Sequence, residues 1–276
     1  IDEIPFDFTR RRMSVIVAKS GRRMLITKGA PEGVLEACTR LELGPDGADV
    51  RDMTPELRAA VLDEFERLSS DGYRAVAVAY RDIGNGREVY SIADESNMTF
   101  VGYVSFVDPP KESTREALEQ AEALGVEIKI LTGDNELVTA RICERVGLAV
   151  KGVLMGQDVD ALDDSELAAR AEQATVCARL SPDQKDRIIA ALKRSGHVVG
   201  YMGDGINDAP SLRTADVGVS VSNAVDVARE AADIILLEEG LDILETGIVE
   251  GRKTFANTLK YIMMGTSSNF GNMFSV

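Results

Sequence analysis

The chain has 276 residues, of which 45% are hydrophobic and 28% charged, so it is long enough for one large domain or two ordinary ones. Its formal net charge of −15 disfavours a nucleic-acid partner, which would require a basic face. No run reaches the roughly 18 apolar residues that span a bilayer. Cys38, Cys143 and Cys177 lie far apart without metal-ligand spacing, a pattern typical of reduced thiols.

The first region, up to about residue 100, mixes strand-like runs with helical segments. Strands are predicted at MSVIVA, RRMLITKG and YRAVAVAY, and helices at PEGVLEACTR and TPELRAAVLDEFERLSSDG. The segments LGPDGADV and RDIGNGREV are rich in turn-forming residues and are predicted as loops.

From about residue 101 the pattern changes to short apolar strands alternating with amphipathic helices. The predicted strands are VGYVSFV, VEIKILT, ATVCARL, HVVGYM, DVGVSV and DIILL. Such alternation predicts an α/β domain with a doubly wound, mostly parallel sheet. One helix is well delimited, because Ser181 can cap its start, Pro182 suits its first turn, Gln184 closes a capping box and Gly196 ends it.

After about residue 240 one long helix is predicted, GLDILETGIVEGRKTFANTLKYIMM, running into an apolar tail. The tail stops abruptly and the chain begins without methionine, so we expect a longer parent protein. The single histidine, His197, opens an apolar run and is interpreted as a strand-edge residue rather than a metal ligand or a base.

Two glycine-containing loops follow strands of the second region. VEIKIL leads into Thr132, Gly133 and Asp134, and VVGYM leads into GDGINDAP with Asp204 and Asp208. In open parallel sheets ligands lie beyond the carboxyl ends of the strands, and glycines there let the backbone approach a phosphate. Two carboxylates would repel a phosphate unless a cation lay between them, so this pair predicts a magnesium site.

Lys185, in the first turn of the helix after SPDQ, can neutralise phosphate charge. Taken alone, TGD is more often a structural turn, and a helix lysine is usually solvated. A plain turn, however, does not require two acids, an asparagine and two glycines in the order of GDGINDAP. The three features together therefore indicate a site for phosphoryl chemistry.

The order TGD, lysine, GDGINDAP resembles the haloacid-dehalogenase superfamily, and its details resemble the P-type cation-transporting ATPases. In that family TGD, GDGINDAP and a DPPK segment, here Asp108 to Lys111, belong to the phosphorylation domain. KGAPE, here Lys28 to Glu32, and FDFTRRRMSV belong to the nucleotide-binding domain. The phosphorylated aspartate of the family lies in a DKTGT motif, which would precede Ile1.

The resemblance implies three parts. Residues 1–100 would form the C-terminal part of an α+β nucleotide-binding domain, inserted before a phosphorylation domain. Residues 101–240 would form that second domain, a haloacid-dehalogenase-like Rossmannoid parallel sheet lacking its first strand. Residues 241–276 would form a stalk helix and the start of a transmembrane helix.

The resemblance also implies roles in phosphoryl transfer through an aspartyl phosphate. Asp204 would bind Mg²⁺, and Asp208 would support the same site. Thr132 and Lys185 would hold phosphoryl oxygens, and Asn207 would orient the phosphate. Gly133 and Asp134, which complete the TGD motif, would belong to the binding site for the nucleotide.

For ATP itself, Phe6 and Phe8 are the aromatic candidates of the first region, since the chain has no tryptophan. The resemblance implies that Phe8 stacks on the base, although a core position for Phe8 is an equal alternative from the sequence alone. Lys28, followed by Gly29, would lie in the adenosine pocket. Contacts to the phosphates or sugar would come from Arg10, Arg74 and Arg179.

The sequences IDEIPFDFTRRRMSVIV and, in the tail, TFANTLKYIMM and SSNFGNMFSV resemble the bacterial magnesium-transporting branch of the family most. This implies ATP-driven uptake of Mg²⁺ across the inner membrane, with this part facing the cytoplasm. Transport of calcium or another cation is the alternative within the family. A soluble phosphatase of the superfamily would need its own DxD motif, which VDPPKE lacks, and a purely regulatory nucleotide-binding module would leave Lys185 and GDGxND without a role.

Overall fold

A computed structural model describes residues 2–7, 9–19, 21–44, 49–84, 89–107, 109–111, 113–238 and 240–274. The chain divides into two compact units. The first comprises Ile1–Pro109 and Asp134–Ile142, and the second comprises Pro110–Gly133 and Cys143–Val276. Each unit has hydrophobic core clusters of its own.

The first unit is built on a seven-stranded sheet in the order β1-β2-β3-β6-β7-β4-β5. Its strands are β1 (Asp2–Asp7), β2 (Arg12–Lys19), β3 (Arg22–Gly29), β4 (Cys38–Leu43), β5 (Asp49–Asp52), β6 (Arg74–Ile83) and β7 (Met98–Phe106). Neighbouring strands are antiparallel except β4 and β7, which are parallel. Helices α1 (Pro31–Glu36) and α2 (Pro55–Ser70) contribute Val34, Leu35, Leu57 and Val61 to the core on this sheet.

The two faces of this sheet differ in burial. Leu25 and Thr27 of β3 are fully buried, as are Ala77 and Ala79 of β6, and they face the helices' core cluster. Because successive side chains of a strand point to opposite faces, the alternate residues lie on the other face. That face is more open, and it carries the exposed side chain of Lys28.

The sequence predictions for this unit hold for β2, β3, β6 and α2. Helix α2 begins after Thr54, whose hydroxyl accepts a hydrogen bond from Leu57 N at 3.3 Å. The helix predicted over PEGVLEACTR was too long, because it ends at Glu36 and Cys38–Leu43 is the strand β4. Strand formation wins there because β4 pairs with both β5 and β7.

The placement of VGYVSFV in the parallel sheet was wrong. The segment lies in β7, where it pairs antiparallel with β6 in the sheet of the first unit. An apolar run predicts a strand but carries no information about which strands it will join.

The second unit contains two three-stranded sheets, with every neighbouring pair parallel. One has the order β8-β10-β9 and the other β11-β12-β13. The strands are β8 (Ile130–Leu131), β9 (Val153–Met155), β10 (Val176–Ala178), β11 (Gly200–Met202), β12 (Val217–Val221) and β13 (Ile234–Leu236). The parallel direction was predicted, whereas the division of the strands into two sheets was not.

Helices connect and cover these strands. They are α3 (Ser113–Ala123), α5 (Gly156–Ala161), α6 (Asp164–Gln173), α7 (Pro182–Arg194), α8 (Ala209–Thr214), α9 (Asp226–Ala231) and α10 (Asp242–Phe274). Helix α4 (Glu136–Val146) is divided, with its residues up to Ile142 assigned to the first unit. One core cluster lies among α5, α6 and α7, and another lies among α7, α8 and α9. Leu131 and Val199 pack against both clusters, so the two sheets share a hydrophobic boundary.

The caps predicted for α7 are confirmed. Ser181 Oγ accepts a hydrogen bond from Gln184 N at 3.3 Å, and Gln184 Oε1 accepts one from Ser181 N at 2.9 Å. Gly196 has φ of 91°, a left-handed conformation that favours glycine. These contacts fix where the helix begins, and therefore where Lys185 lies.

The long C-terminal helix is also confirmed, since α10 runs for 33 residues. Its contacts with the rest of the second unit include Arg252, which donates to the carbonyl of Leu124 at 2.7 Å. Within the described ranges, no helix combines the length and apolar character that crossing a membrane requires.

Candidate functional site

The predicted phosphoryl-binding loops of the second unit begin at the carboxyl ends of its strands. Thr132 follows β8 and is tied to the end of β10, because its N–H donates to Cys177 O at 2.9 Å and its carbonyl accepts from Leu180 N at 3.0 Å. A Cβ on Gly133 would lie 3.3 Å from the Leu180 carbonyl oxygen, so the loop passes close to the neighbouring backbone.

The GDGIND loop is held by the adjacent strand β12. Gly203 N donates to Val219 O at 3.1 Å, and Ser220 Oγ donates to the carbonyl of Gly203 at 2.9 Å. A Cβ on Gly203 would lie 2.5 Å from the Cβ of Asp208, a distance that only glycine tolerates. The first glycine of the motif is therefore needed to let Asp208 fold back over the start of the loop.

Asp208 is the most strongly bound carboxylate of this loop. Its Oδ1 accepts from Lys185 Nζ at 2.9 Å and from the Tyr201 hydroxyl at 2.7 Å, and its Oδ2 accepts from Gly205 N at 3.1 Å. Burial opposes its charge, but these three donors together hold the pKa of Asp208 below the usual range. Burial and the Asp208 carboxylate raise the pKa of Tyr201, which therefore stays a neutral donor.

Lys185 is placed by the first turn of α7, and its side chain is mostly buried beside Asp208. The structure brings this lysine next to the second acid of GDGIND. The Tyr201 hydroxyl also lies 3.4 Å from Lys185 Nζ, so the three side chains form one network. The sequence analysis did not identify Tyr201, which lies within the apolar run HVVGYM.

Asp204 and Asn207 have exposed side chains, unlike Asp208. The Asp204 backbone is fixed by a hydrogen bond from Val225 N to its carbonyl at 3.1 Å. Its carboxylate is a hard oxygen ligand of the kind Mg²⁺ prefers, and its exposure fits a metal-binding role. The described residues contain no group of three or more His, Cys, Asp or Glu side chains that could hold a metal ion.

Arg179 follows β10 and adopts a positive φ of 55°. Its carbonyl oxygen would lie 2.5 Å from a Cβ on Gly156, so the backbone there is closely packed. Asp134, the third residue of TGD, lies 2.8 Å from Arg74, with its Oδ1 facing Arg74 Nη2. Arg74 and Asp134 were both predicted as nucleotide ligands, and the two side chains pair with each other here.

In the first unit, Lys28 and Gly29 end the strand β3. Lys28 is paired with Met13 of β2 and Val78 of β6, so the three side chains share the open face of the sheet. A Cβ on Gly29 would lie 2.3 Å from the Arg11 carbonyl oxygen. The glycine of KGAPE is thus required by the backbone of the preceding turn.

Arg10, predicted to contact the nucleotide, has its guanidinium bound by protein groups. Its Nη1 donates to Glu95 Oε2, and its Nη2 donates to the carbonyl of Pro5 at 2.9 Å. No local pattern in the sequence pointed to Glu95, which lies 85 positions along the chain. Phe8, predicted to stack on the base, lies outside the described residues, whereas Phe6 in β1 is half exposed.

Comparison with known proteins agrees with the resemblance. Residues 1–113 match a family model described as P-type ATPase, cytoplasmic domain N. The whole chain is 52% identical to proteins named magnesium-transporting ATPase, P-type 1, from Salmonella typhimurium and from Escherichia coli K12, and covers 30% of each. It is 33% identical over 99% of its length to a calcium-transporting ATPase of Bacillus subtilis, covering 31% of that protein.

The chain thus spans about a third of the length of these relatives. Its identity to the magnesium-transporting proteins extends over both units, beyond the segment that the family model matches. Residues 1–113 are therefore similar to the cytoplasmic N domain of P-type ATPases, and the chain as a whole is similar to the magnesium-transporting ATPases.

Proposed function

We propose that this chain is the ATP-binding and phosphoryl-transfer part of a P-type ATPase that transports Mg²⁺ through an aspartyl-phosphate intermediate. The observation that carries the proposal is the Lys185–Asp208 ion pair beside the loop after β11. A lysine held at the carboxyl edge of a parallel sheet suits the neutralisation of a phosphoryl group.

In this proposal Asp208 acts by orienting Lys185, since its carboxylate already accepts three hydrogen bonds from the protein. Asp204, with an exposed carboxylate, is the residue that holds Mg²⁺ next to the phosphate. When bound, that ion neutralises charge on the transferred group. Thr132 and Asn207 contribute hydrogen bonds to the phosphoryl oxygens.

The second unit is proposed to be a haloacid-dehalogenase-like phosphorylation domain whose two half-sheets are joined by one further strand. Among the described residues, β8 pairs only with β10, and β11 pairs only with β12. Val198, in the apolar run that leads into β11, is 84% exposed. Interior strands of parallel sheets are apolar on both faces, so a neighbouring strand carrying the nucleophilic aspartate would account for this exposed valine.

The nucleotide is proposed to bind on the open face of the first sheet. Lys28 lies there next to Met13 and Val78, an arrangement of one cation on an apolar surface that suits an adenosine phosphate. The base would stack on Phe8 or on the half-exposed Phe6. Gly29, Arg74 and Asp134 of the same unit are proposed to complete this site, with Arg74 leaving Asp134 when ATP binds. Gly133 and Arg179 are proposed as nucleotide-binding residues of the second unit.

The proposed domains follow from these assignments. Residues 1–100, extended to Phe106 so that all of β7 stays with its sheet, are proposed to form the nucleotide-binding domain, and the residues from there to 240 are proposed to form the phosphorylation domain. Residues 241–276 form a stalk helix that leads into the membrane. The names of the relatives support Mg²⁺ as the transported ion. The description of the matching family model supports a cytoplasmic position for residues 1–113, and we propose that the parent protein lies in the inner membrane.

Titration of the chain with ATP, followed by NMR or calorimetry, tests the nucleotide site. We expect binding in the high micromolar to millimolar range, about 4 to 6 kcal/mol. Lys28→Ala should weaken it severalfold, because one cation is lost from the open face. Lys151→Ala, at an exposed lysine of the second unit, is the matched control and should bind as the unaltered chain does. Equal affinities for both variants would remove Lys28 from the site.

A further inference from the structure

A fully buried carboxylate organises the start of the first sheet. The side chain of Glu95 is 0% exposed and follows the 3-10 helix Ile92–Asp94. It accepts hydrogen bonds from Arg10 Nη1, from Arg12 Nε at 2.9 Å and from Ser14 Oγ at 2.7 Å. Burial opposes the charge of Glu95, but Arg10, Arg12 and Ser14 together hold its pKa below the usual range.

Arg10 and Arg12 also donate hydrogen bonds to backbone carbonyls in the segments that flank the β1–β2 turn. Arg10 also donates to the carbonyl of Pro5 in β1, and Arg12 Nη1 donates to the carbonyl of Gly33 in α1. Glu95 therefore links β1, β2 and α1, although it lies far from all of them in the sequence. Ser14 extends the network, because its hydroxyl lies 2.7 Å from that of Thr27 in β3.

The turn held in this way packs directly on the KGAPEG segment. The Arg11 carbonyl accepts from Ala30 N at 2.8 Å, and it would lie 2.3 Å from a Cβ on Gly29. The Arg10 carbonyl would likewise lie 2.4 Å from a Cβ on Gly33. The turn and the KGAPEG segment are therefore packed too closely to shift past each other. The position of the turn relative to Lys28 consequently depends on the hydrogen bonds that hold Arg10 and Arg12.

We infer that Glu95 is a positioning residue for nucleotide binding, and this inference rests on the proposed function of the first unit. By neutralising Arg10 and Arg12, Glu95 sets the turn that follows Phe6 and Phe8 at a fixed distance from Lys28. Arg10 and Arg12 then act as buried structural cations and not as ligands of the phosphates. Glu95 itself is too buried to touch a nucleotide.

The charges of Glu95, Arg10 and Arg12 explain why the position of the turn should be sensitive to loss of the Glu95 carboxylate. Arg10 and Arg12 are themselves only slightly exposed, so removing the charge of Glu95 leaves two guanidinium groups in a site with little water. The nearby carboxylate of Asp7 lies 3.9 Å from Arg10 Nε and is half exposed, so it offsets this charge only weakly. Repulsion between these groups would push the turn away from β3. Lys28 would keep its place in the strand, but its spacing from the turn that follows β1 would change.

The test compares Glu95→Gln with Arg81→Met in the full chain. The Glu95→Gln substitution keeps the size of the side chain and removes its charge. Arg81 is a matched control because it binds the same segment through the carbonyls of Asp94 at 3.1 Å and Ser96 at 2.8 Å, and among the described residues it makes no hydrogen bond or ion pair with the Glu95 carboxylate. ATP affinity and the backbone amide shifts of Arg11, Lys28 and Gly29 are measured by NMR, below the unfolding temperature of every variant.

We expect Glu95→Gln to weaken ATP binding about five- to tenfold and to shift these amide signals before ATP is added. Arg81→Met should keep the ATP affinity within about twofold of the unaltered chain, even if it lowers the melting temperature as much as Glu95→Gln does. Unchanged affinity in Glu95→Gln, or an equal loss in both variants, would overturn the inference while leaving the ATP site in place. Absence of ATP binding by the unaltered chain would overturn the proposed function and this inference with it.

Discussion

Lys185 and Asp208 form an ion pair of 2.9 Å in which both side chains are mostly buried, at 15% and 14% exposure. Asp204, only four residues before Asp208, is exposed. The two acids of GDGIND, which are alike in the sequence, therefore differ in what they can do. Asp208 is committed to a lysine, a tyrosine and a backbone amide, whereas Asp204 can bind a ligand from solution.

The first prediction is that Asp208→Ala destabilises the second unit and Asp204→Ala does not. Asp208→Ala should cost about 2 kcal/mol, because it leaves Lys185 and Tyr201 without their shared partner in a partly buried site. Asp204→Ala should stay within about 0.5 kcal/mol of the unaltered chain. Urea unfolding followed at an amide of β12 measures both values.

A double-mutant cycle with Lys185→Met and Asp208→Ala separates the pair from the other contacts of Asp208. We expect the two changes together to cost less than the sum of the single changes, because each removes the same ion pair. Strict additivity would mean that the ion pair contributes nothing to stability.

The second prediction concerns the two glycines packed against the β1–β2 turn. Gly29→Ala and Gly33→Ala should each cost about 2 kcal/mol, since the added Cβ would meet a backbone carbonyl at 2.3 or 2.4 Å. Gly84→Ala is the control, because a Cβ there meets nothing within 4 Å. Thermal unfolding of the three variants is the measurement. A loss for Gly84→Ala as large as for Gly29→Ala would contradict the packing argument.

Local signals predicted local structure well. The capping residues of α7 and the apolar periodicity of α2 were sufficient to place both helices, because caps and periodicity act within a few residues. The position of β7 in the sheet could not be predicted from such local signals. Its apolar run suits a parallel or an antiparallel neighbour, and its place was decided by pairing with β6 and β4.

For the candidate sites too, local sequence features could be predicted, whereas contacts between distant residues could not. Lys185 and Asp208 could be associated from the sequence only because their motifs resemble those of a known family. Glu95 could not be found, because its contacts to Arg10, Arg12 and Ser14 span 81 to 85 positions and no motif marks it. The assignment of Arg10 to the nucleotide site was likewise made without knowledge of its partner, since a sequence does not reveal that a guanidinium is paired with a buried carboxylate.

The third prediction is that the three thiols are inert in the folded chain. Burial raises the pKa of Cys38 to about 12, against opposing effects of Arg58 and Arg12, and burial raises the pKa of Cys177 to about 11. Cys143 is also buried, and burial raises its pKa. A thiol-reactive dye at pH 8 should therefore label the native chain very slowly. In denaturant the same dye should label all three cysteines. Rapid labelling of one cysteine in the native chain would show that its surroundings open readily.

The fourth prediction is a loss of stability in acid that depends on Glu95. The pKa of this carboxyl in the folded chain lies below its ordinary value of 4.5, because Arg10, Arg12 and Ser14 outweigh the effect of burial. Its contribution is therefore complete above pH 4.5 and disappears as the pH falls through the lower folded-state value. The stability difference between the unaltered chain and Glu95→Gln, followed at an amide of β2, should be constant near neutral pH and shrink below pH 4.5. A difference independent of pH would mean that Glu95 acts through its shape alone.

The last prediction concerns the chemistry. The proposed nucleophile is an aspartate that would precede Ile1, so the 276-residue chain should neither hydrolyse ATP nor form an acid-stable phosphoenzyme. A longer chain that includes the DKTGT segment should incorporate labelled phosphate from ATP, measured after trapping in acid. In that chain, Asp204→Asn should abolish most of the incorporation by removing a magnesium ligand. Asp208→Asn should also be severe, because a neutral amide would leave the ammonium group of Lys185 without its anionic partner.

Phosphate incorporation at different Mg²⁺ concentrations separates the two acids. Loss of Asp204 should be partly overcome by more Mg²⁺, because the defect is one of metal affinity. Loss of Asp208 should not be, because the defect lies in how Lys185 is oriented towards the phosphoryl group. An equal response of both variants to Mg²⁺ would contradict this division of roles. Phosphorylation of any residue within the 276-residue chain itself would place the nucleophile inside it and refute the proposed mechanism.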